Sequence, residues 1–79
     1  MTNKKLYPIC NYENNQHKLY YLQAYYGNRQ MFDEEDAITR TIVELEEAPL
    51  DKKGTAYGSY DLYVRVRNII NDYDAMHIH

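Results

Sequence analysis

Asp72, Asp74, His77 and His79 are the side chains whose types and spacing come closest to carrying chemistry in this sequence. On an extended segment a His-x-His pair points both imidazoles to one side. Nearby carboxylates then complete a nitrogen and oxygen donor set suited to zinc or another transition metal. The same residues also read as a polar chain end, since terminal residues are poorly ordered unless something ties them down. His-x-His lacks the spacing of a recognised metal motif, so the sequence commits to no metal and no cofactor. Nucleophilic catalysis would fall to Cys10, with His17 able to lie across a hairpin from it, but nothing marks an oxyanion hole beside them. A lone cysteine on a strand reads instead as a small buried hydrophobe. Gly27, Gly54 and Gly58 are too scattered to form a phosphate-cradling loop. The expected reading is therefore a protein that is not an enzyme.

Binding chemistry is better represented. The chain holds 10 tyrosines and no tryptophan. A tyrosine ring gives rigid contact area with a polar tip and is over-represented at interfaces, although tyrosines also fill sheet surfaces. The doublets Tyr20-Tyr21 and Tyr25-Tyr26 are the candidate anchors. Charge is laid out unevenly within the formal total of −3. Lys4, Lys5, Lys18 and Arg29 make the first third basic against Glu13 alone. The middle, residues 30–51, sets Asp33, Glu34, Glu35, Asp36, Glu44, Glu46, Glu47 and Asp51 against Arg40 alone. Lys52, Lys53, Arg65 and Arg67 slightly outweigh Asp61, Asp72 and Asp74 in the remainder. Glu34, Glu35, Glu44, Glu46 and Glu47 are the candidate steering residues for a protein partner with a basic surface, including one that otherwise holds DNA or RNA. A solvated helix face is the plainer reading of the same acids. Direct nucleic-acid binding would use the tyrosines as a stacking platform with Lys4, Lys5, Lys18 and Arg29 nearby. It is opposed by the net negative charge and the lack of a lysine and arginine cluster.

The elements that must position these residues read as follows. Lys4 to Tyr12 is a strand, and Pro8, which cannot donate to a ladder, places it at a sheet edge. Glu13-Asn14-Asn15-Gln16 is a turn. His17 to Tyr26 is a second, aromatic-rich strand, one face carrying Leu19, Tyr21, Gln23 and Tyr25, the other Tyr20, Leu22, Ala24 and Tyr26. Gly27-Asn28 suits a two-residue hairpin that returns Arg29 to Phe32 as a short third strand. A helix is expected over 33–47, with Asp33 as N-cap, Asp36 three residues on, and Phe32 with Ala37 as a hydrophobic staple. Ile38, Thr41, Ile42 and Leu45 form its apolar stripe, Asp36 and Arg40 an i,i+4 pair, and Pro49 its stop. Asp51 to Gly54 is a loop. A second helix over 59–73, capped by Ser59, lines up Leu62, Val66, Ile69, Ile70 and Tyr73. Alternation through Tyr60, Leu62, Val64 and Val66 keeps a β-hairpin ending in Met76–His79 as its rival.

The fold class expected is α+β: a small antiparallel sheet of two to three strands from residues 4–32 packed against two helices. Residues 1–79 form one domain. No signal peptide is visible and no apolar run approaches a membrane span, while a single cysteine suits a reducing compartment, so a soluble cytoplasmic protein is expected. In general character a tiny, acidic, tyrosine-rich domain resembles the small inhibitors that phages and other mobile elements make against host defence machinery, anti-CRISPR proteins among them. The resemblance is compositional and covers no alignable motif. It implies a non-catalytic binding protein that blocks a nucleic-acid-binding site. The alternative is a small single-stranded nucleic-acid-binding protein using a tyrosine-rich sheet. A thin core and surplus tyrosines also permit a homodimer.

Overall fold

A computed structural model describes residues 5–77. Five elements follow one another: β1 (Tyr7–Asn11), α1 (Tyr12–Asn28), α2 (Phe32–Glu46), β2 (Thr55–Gly58) and α3 (Tyr60–Met76). The fold is α+β, with one two-stranded antiparallel sheet and three helices.

The segment expected to be the second strand is a helix. Asn11 caps α1: its Oδ1 accepts the Asn14 N–H at 2.9 Å, and its carbonyl accepts Asn15 Nδ2 at 2.8 Å. Glu13 to Gln16 is thus the first turn of α1, where short polar side chains suit the unpaired amides. Leu19 and Leu22 are fully buried, and Tyr12 and Tyr26 pack on the same core at helical spacing. The strand reading failed because tyrosines surround this helix, so apolar residues occupy both parities as well as the helical stripe.

Gly27 and Asn28 end α1 rather than form a hairpin, and Arg29 to Phe32 make no strand. Gln30 takes a left-handed φ of 60°. Its N–H donates to the Gly27 carbonyl at 3.1 Å and the Met31 N–H to the Tyr26 carbonyl at 2.9 Å, the crossed pair of a Schellman closure. The chain leaves α1 and enters α2 at once, with Met31 as N-cap and no side-chain cap bond. Asp33 therefore lies inside the first turn instead of capping it, and Phe32 is exposed instead of stapled. The first-turn acids still face the positive end of the helix dipole. Asp36 and Arg40 are not among the ion pairs of the described residues. The expected stripe Ile38, Thr41, Ile42 and Leu45 is buried.

The partner of β1 comes from the far side of α2, not from residues 13–32. Tyr7 pairs with Gly58, Pro8 with Tyr57, Cys10 with Ala56 and Asn11 with Thr55, with a register shift between Pro8 and Cys10. The loop before β2 is an Asx-type turn, in which the Asp51 carboxylate accepts the Lys53 and Thr55 N–H groups at 2.8 and 3.0 Å. Gly54 sits there at a φ of 85°. Asn11 Nδ2 donates to the Lys53 carbonyl at 2.8 Å and ties this turn to the start of α1.

Ser59 caps α3 as expected, accepting the Leu62 N–H at 3.1 Å, and Leu62, Val66, Ile69 and Ile70 face inward. The β-hairpin rival is ruled out. Ile9, Cys10 and Ala56 of the sheet join the buried residues of all three helices in one cluster. No helix among the described residues is long and apolar enough to cross a membrane.

Candidate functional site

The four candidate tyrosines stand on one helix and divide between two of its sides. Adjacent helical residues lie about 100° apart, so Tyr20 and Tyr21 diverge. Tyr20 turns toward α2, where its hydroxyl and that of Tyr12 both donate to Glu46 Oε2 at 2.7 Å. Tyr21, Tyr25 and Tyr26 turn toward α3. The Tyr21 ring stands edge-on to Tyr73 at 5.4 Å and to His77 at 5.1 Å, and stacks with Tyr25 at 6.4 Å. Tyr25 meets Tyr26 edge-on at 5.3 Å. Cations lie over this cluster: the Arg29 guanidinium sits 3.7 Å from the Tyr25 centroid and Lys18 Nζ 5.6 Å from that of Tyr73. The Tyr25 and Tyr73 faces thus carry the protein's own cations, and the cluster stands on helices, not on a sheet.

The candidate acids divide as well. Glu44 holds Arg65 in a two-pronged pair at 2.7 and 2.9 Å. The same guanidinium reaches Asp61 at 2.9 Å and the Thr41 hydroxyl at 3.1 Å. The Arg65 hydrogen bonds hold the Glu44 carboxyl below its ordinary range. Glu46 is likewise lowered by the hydroxyls of Tyr20 and Tyr12. The Tyr12 phenol is pushed up, first by burial and then by its bond to Glu46. Glu35 is half-buried, with its carboxylate over Gly27 of α1. Glu34 and Glu47 are exposed, as are Asp33 and Asp36. Five acids expected to act alike thus have different tasks: Glu44 and Glu46 hold helices together, Glu35 covers α1, and Glu34 and Glu47 face solvent.

The sequence reading missed an apolar groove at one end of the molecule. Tyr25, Tyr26, Met31, Asp72, Ala75 and Met76 line an open space of about 400 Å³ between the ends of α1 and α3. Met31 is 40% exposed, Met76 38%, and Phe32, next in the chain to Met31, 59%. Methionine at a helix junction with a phenylalanine beside it was the available signal, and the hairpin reading had absorbed both. The Tyr26 phenol is pushed up first by burial and then by the charges of Asp72, Tyr25 and Glu34.

The residues considered for catalysis or metal binding are engaged in packing and pairing. Cys10 is buried, which raises its thiol pKa, and His17 packs edge-on against Tyr73 at 5.7 Å. His77 stacks on Tyr73 at 4.1 Å, with its Nδ1 at 2.8 Å from the Tyr73 carbonyl, and Asp74 pairs with Lys18 at 2.9 Å. His79 lies outside the described residues, and among those described no three His, Cys, Asp or Glu side chains gather as a metal site. Compared with protein-family models, with curated proteins and with solved structures, this chain matches none.

Proposed function

We propose that this chain is a non-catalytic protein-binding module that docks its acidic α2 surface onto a basic surface of another protein. The observation that carries this reading is the exposure of Asp33, Glu34 and Asp36 near the start of α2 and of Glu47 at its C-cap, beside the internally engaged Glu44 and Glu46. A localised negative surface steers association with a basic partner and disfavours phosphate-bearing competitors. A protein groove that binds nucleic acid is such a partner. This is the mode of action proposed here, that of a small inhibitor of host defence machinery, acting in the reducing cytoplasm where the unpaired Cys10 is at home.

The test is affinity capture with the tagged protein from a lysate of its native host, with and without nuclease. It is run beside a variant carrying Asp33→Asn, Glu34→Gln, Asp36→Asn and Glu47→Gln. A protein retained after nuclease and lost from the variant is the expected result. Equal retention by the variant would discard the acidic surface. Recovery of nucleic acid alone would favour the second reading, a small single-stranded nucleic-acid-binding protein that stacks bases on its exposed tyrosines, Tyr20 and Tyr21.

A further inference from the structure

The groove at the joined ends of α1 and α3 has the features of a seat for a single large side chain. Tyr25, Tyr26, Met31, Asp72, Ala75 and Met76 line it, and its volume is about 400 Å³. Thioether side chains adapt to the shape of what they meet, and both methionines keep more than a third of their surface open to solvent. Apolar surface of this kind marks a contact site when polar residues surround it. Here the surround is mostly acidic. Asp72 lines the groove, and the exposed Glu34 stands in the first turn of α2, three residues after the lining Met31. Arg29 is held against the ring of Tyr25, one of the lining residues.

We propose that this groove takes an apolar side chain from a basic amphipathic helix of a partner protein, whose flanking lysines or arginines meet Glu34 and Asp72. The inference rests on the reading of the chain as a docking module for a basic surface, and adds where the contact is anchored and what shape the partner presents. An apolar residue with basic residues about one helical turn to either side places the charges over the acidic rim. Charge selects the partner, and the buried side chain sets how long it stays.

The chain contains no tryptophan, so indole emission reports an added peptide alone. The probe is a leucine and lysine amphipathic peptide of about 15 residues, roughly four helical turns, with one tryptophan at the centre of its apolar face. Titration into the wild-type protein is expected to shift the emission to the blue. Chemical-shift changes are expected over residues 25–34 and 72–76. Binding is expected to weaken about tenfold or more in Met31→Ser/Met76→Ser and in Glu34→Gln/Asp72→Asn, both altered at exposed positions and checked for unchanged circular dichroism. A lysine peptide with serine in place of leucine that bound equally well would overturn the groove while leaving the acidic docking surface standing. An amphipathic peptide with glutamate in place of lysine that bound as tightly would overturn the charge selection. Absence of binding by the basic amphipathic peptide would overturn the proposal. So would self-association of the protein that the methionine variant abolishes, because the occupant would then be a second copy.

Discussion

Arg65 makes more of its side chain than any other charged residue described here, bonding Glu44, Asp61 and Thr41 from one guanidinium. Thr41 is buried; its hydroxyl donates to the Ala37 carbonyl at 2.9 Å and accepts from Arg65. The pair to Glu44 is half open to water, so its worth is discounted from that of a buried bridge. Arg65→Ala should still cost about 1–2 kcal/mol in urea denaturation, since it removes the bonds that tie α3 to Glu44 and to the buried Thr41 of α2. Arg67→Ala, at an exposed position, should change stability by less than about 0.5 kcal/mol. Acid sensitivity belongs to the same residues. The carboxyls of Glu44, Glu46 and Asp51 are all held low, by Arg65, by two tyrosine hydroxyls and foremost by the Thr55 N–H respectively. The folded protein therefore binds their protons less readily than the unfolded chain. The stability they add is complete above the ordinary carboxyl values of about 4 and is lost as pH falls through the lower folded values. The urea midpoint should be flat from about pH 8 to pH 6 and decline below about pH 4.5, with a shallower decline in Glu44→Gln. Little of this was legible beforehand. Glu44 and Glu46 look like solvated acids because their partners lie on α3 and α1, and single-sequence spacing connects residues only within one helix.

Among the elements, the α1–α2 junction is closed by a residue poorly suited to it. The left-handed position of a Schellman motif favours glycine, and here it holds Gln30. Gln30→Gly should raise stability by about 0.5–1 kcal/mol, read as a higher melting temperature, because the left-handed cost outweighs the added freedom of the unfolded chain. At the other end of α1, Asn11 supplies the cap, the bond to the Lys53 carbonyl and a β1 ladder position. Asn11→Ala should cost about 1–2 kcal/mol by denaturant titration. Asn11→Asp, which keeps the cap acceptor and loses the donor to Lys53, should fall between that variant and wild type. The amphipathic stripes of α2 and α3 and the Ser59 cap were readable because their apolar residues keep one period and turn chemistry bounds them. The first helix was not, since an all-round tyrosine coat hides its period. Nor was β2, whose four residues, Thr55 to Gly58, are strand only because β1 and the Pro49–Asp51 segment bond to its two edges.

For the whole molecule, the single buried cluster is small, and stability on the order of 0.05–0.15 kcal/mol per residue leaves little margin. Leu22 is fully buried in α1 at the centre of that cluster. Leu22→Ala should cost about 3 kcal/mol, enough to leave a measurable unfolded fraction by circular dichroism at 37 °C. The sheet spans the chain: Asn11 pairs with Thr55 and Tyr7 with Gly58. During synthesis β1 is therefore made well before its strand partner β2. At about 5–20 residues per second, roughly 2–10 s pass before Thr55 to Gly58 are joined to the growing chain. Ile9 and Cys10, buried in the finished protein, have no sheet to enter during that interval. The helical pair α1–α2 can assemble on the ribosome from local contacts, whereas the β1–β2 closure must follow translation of the segment that ends it.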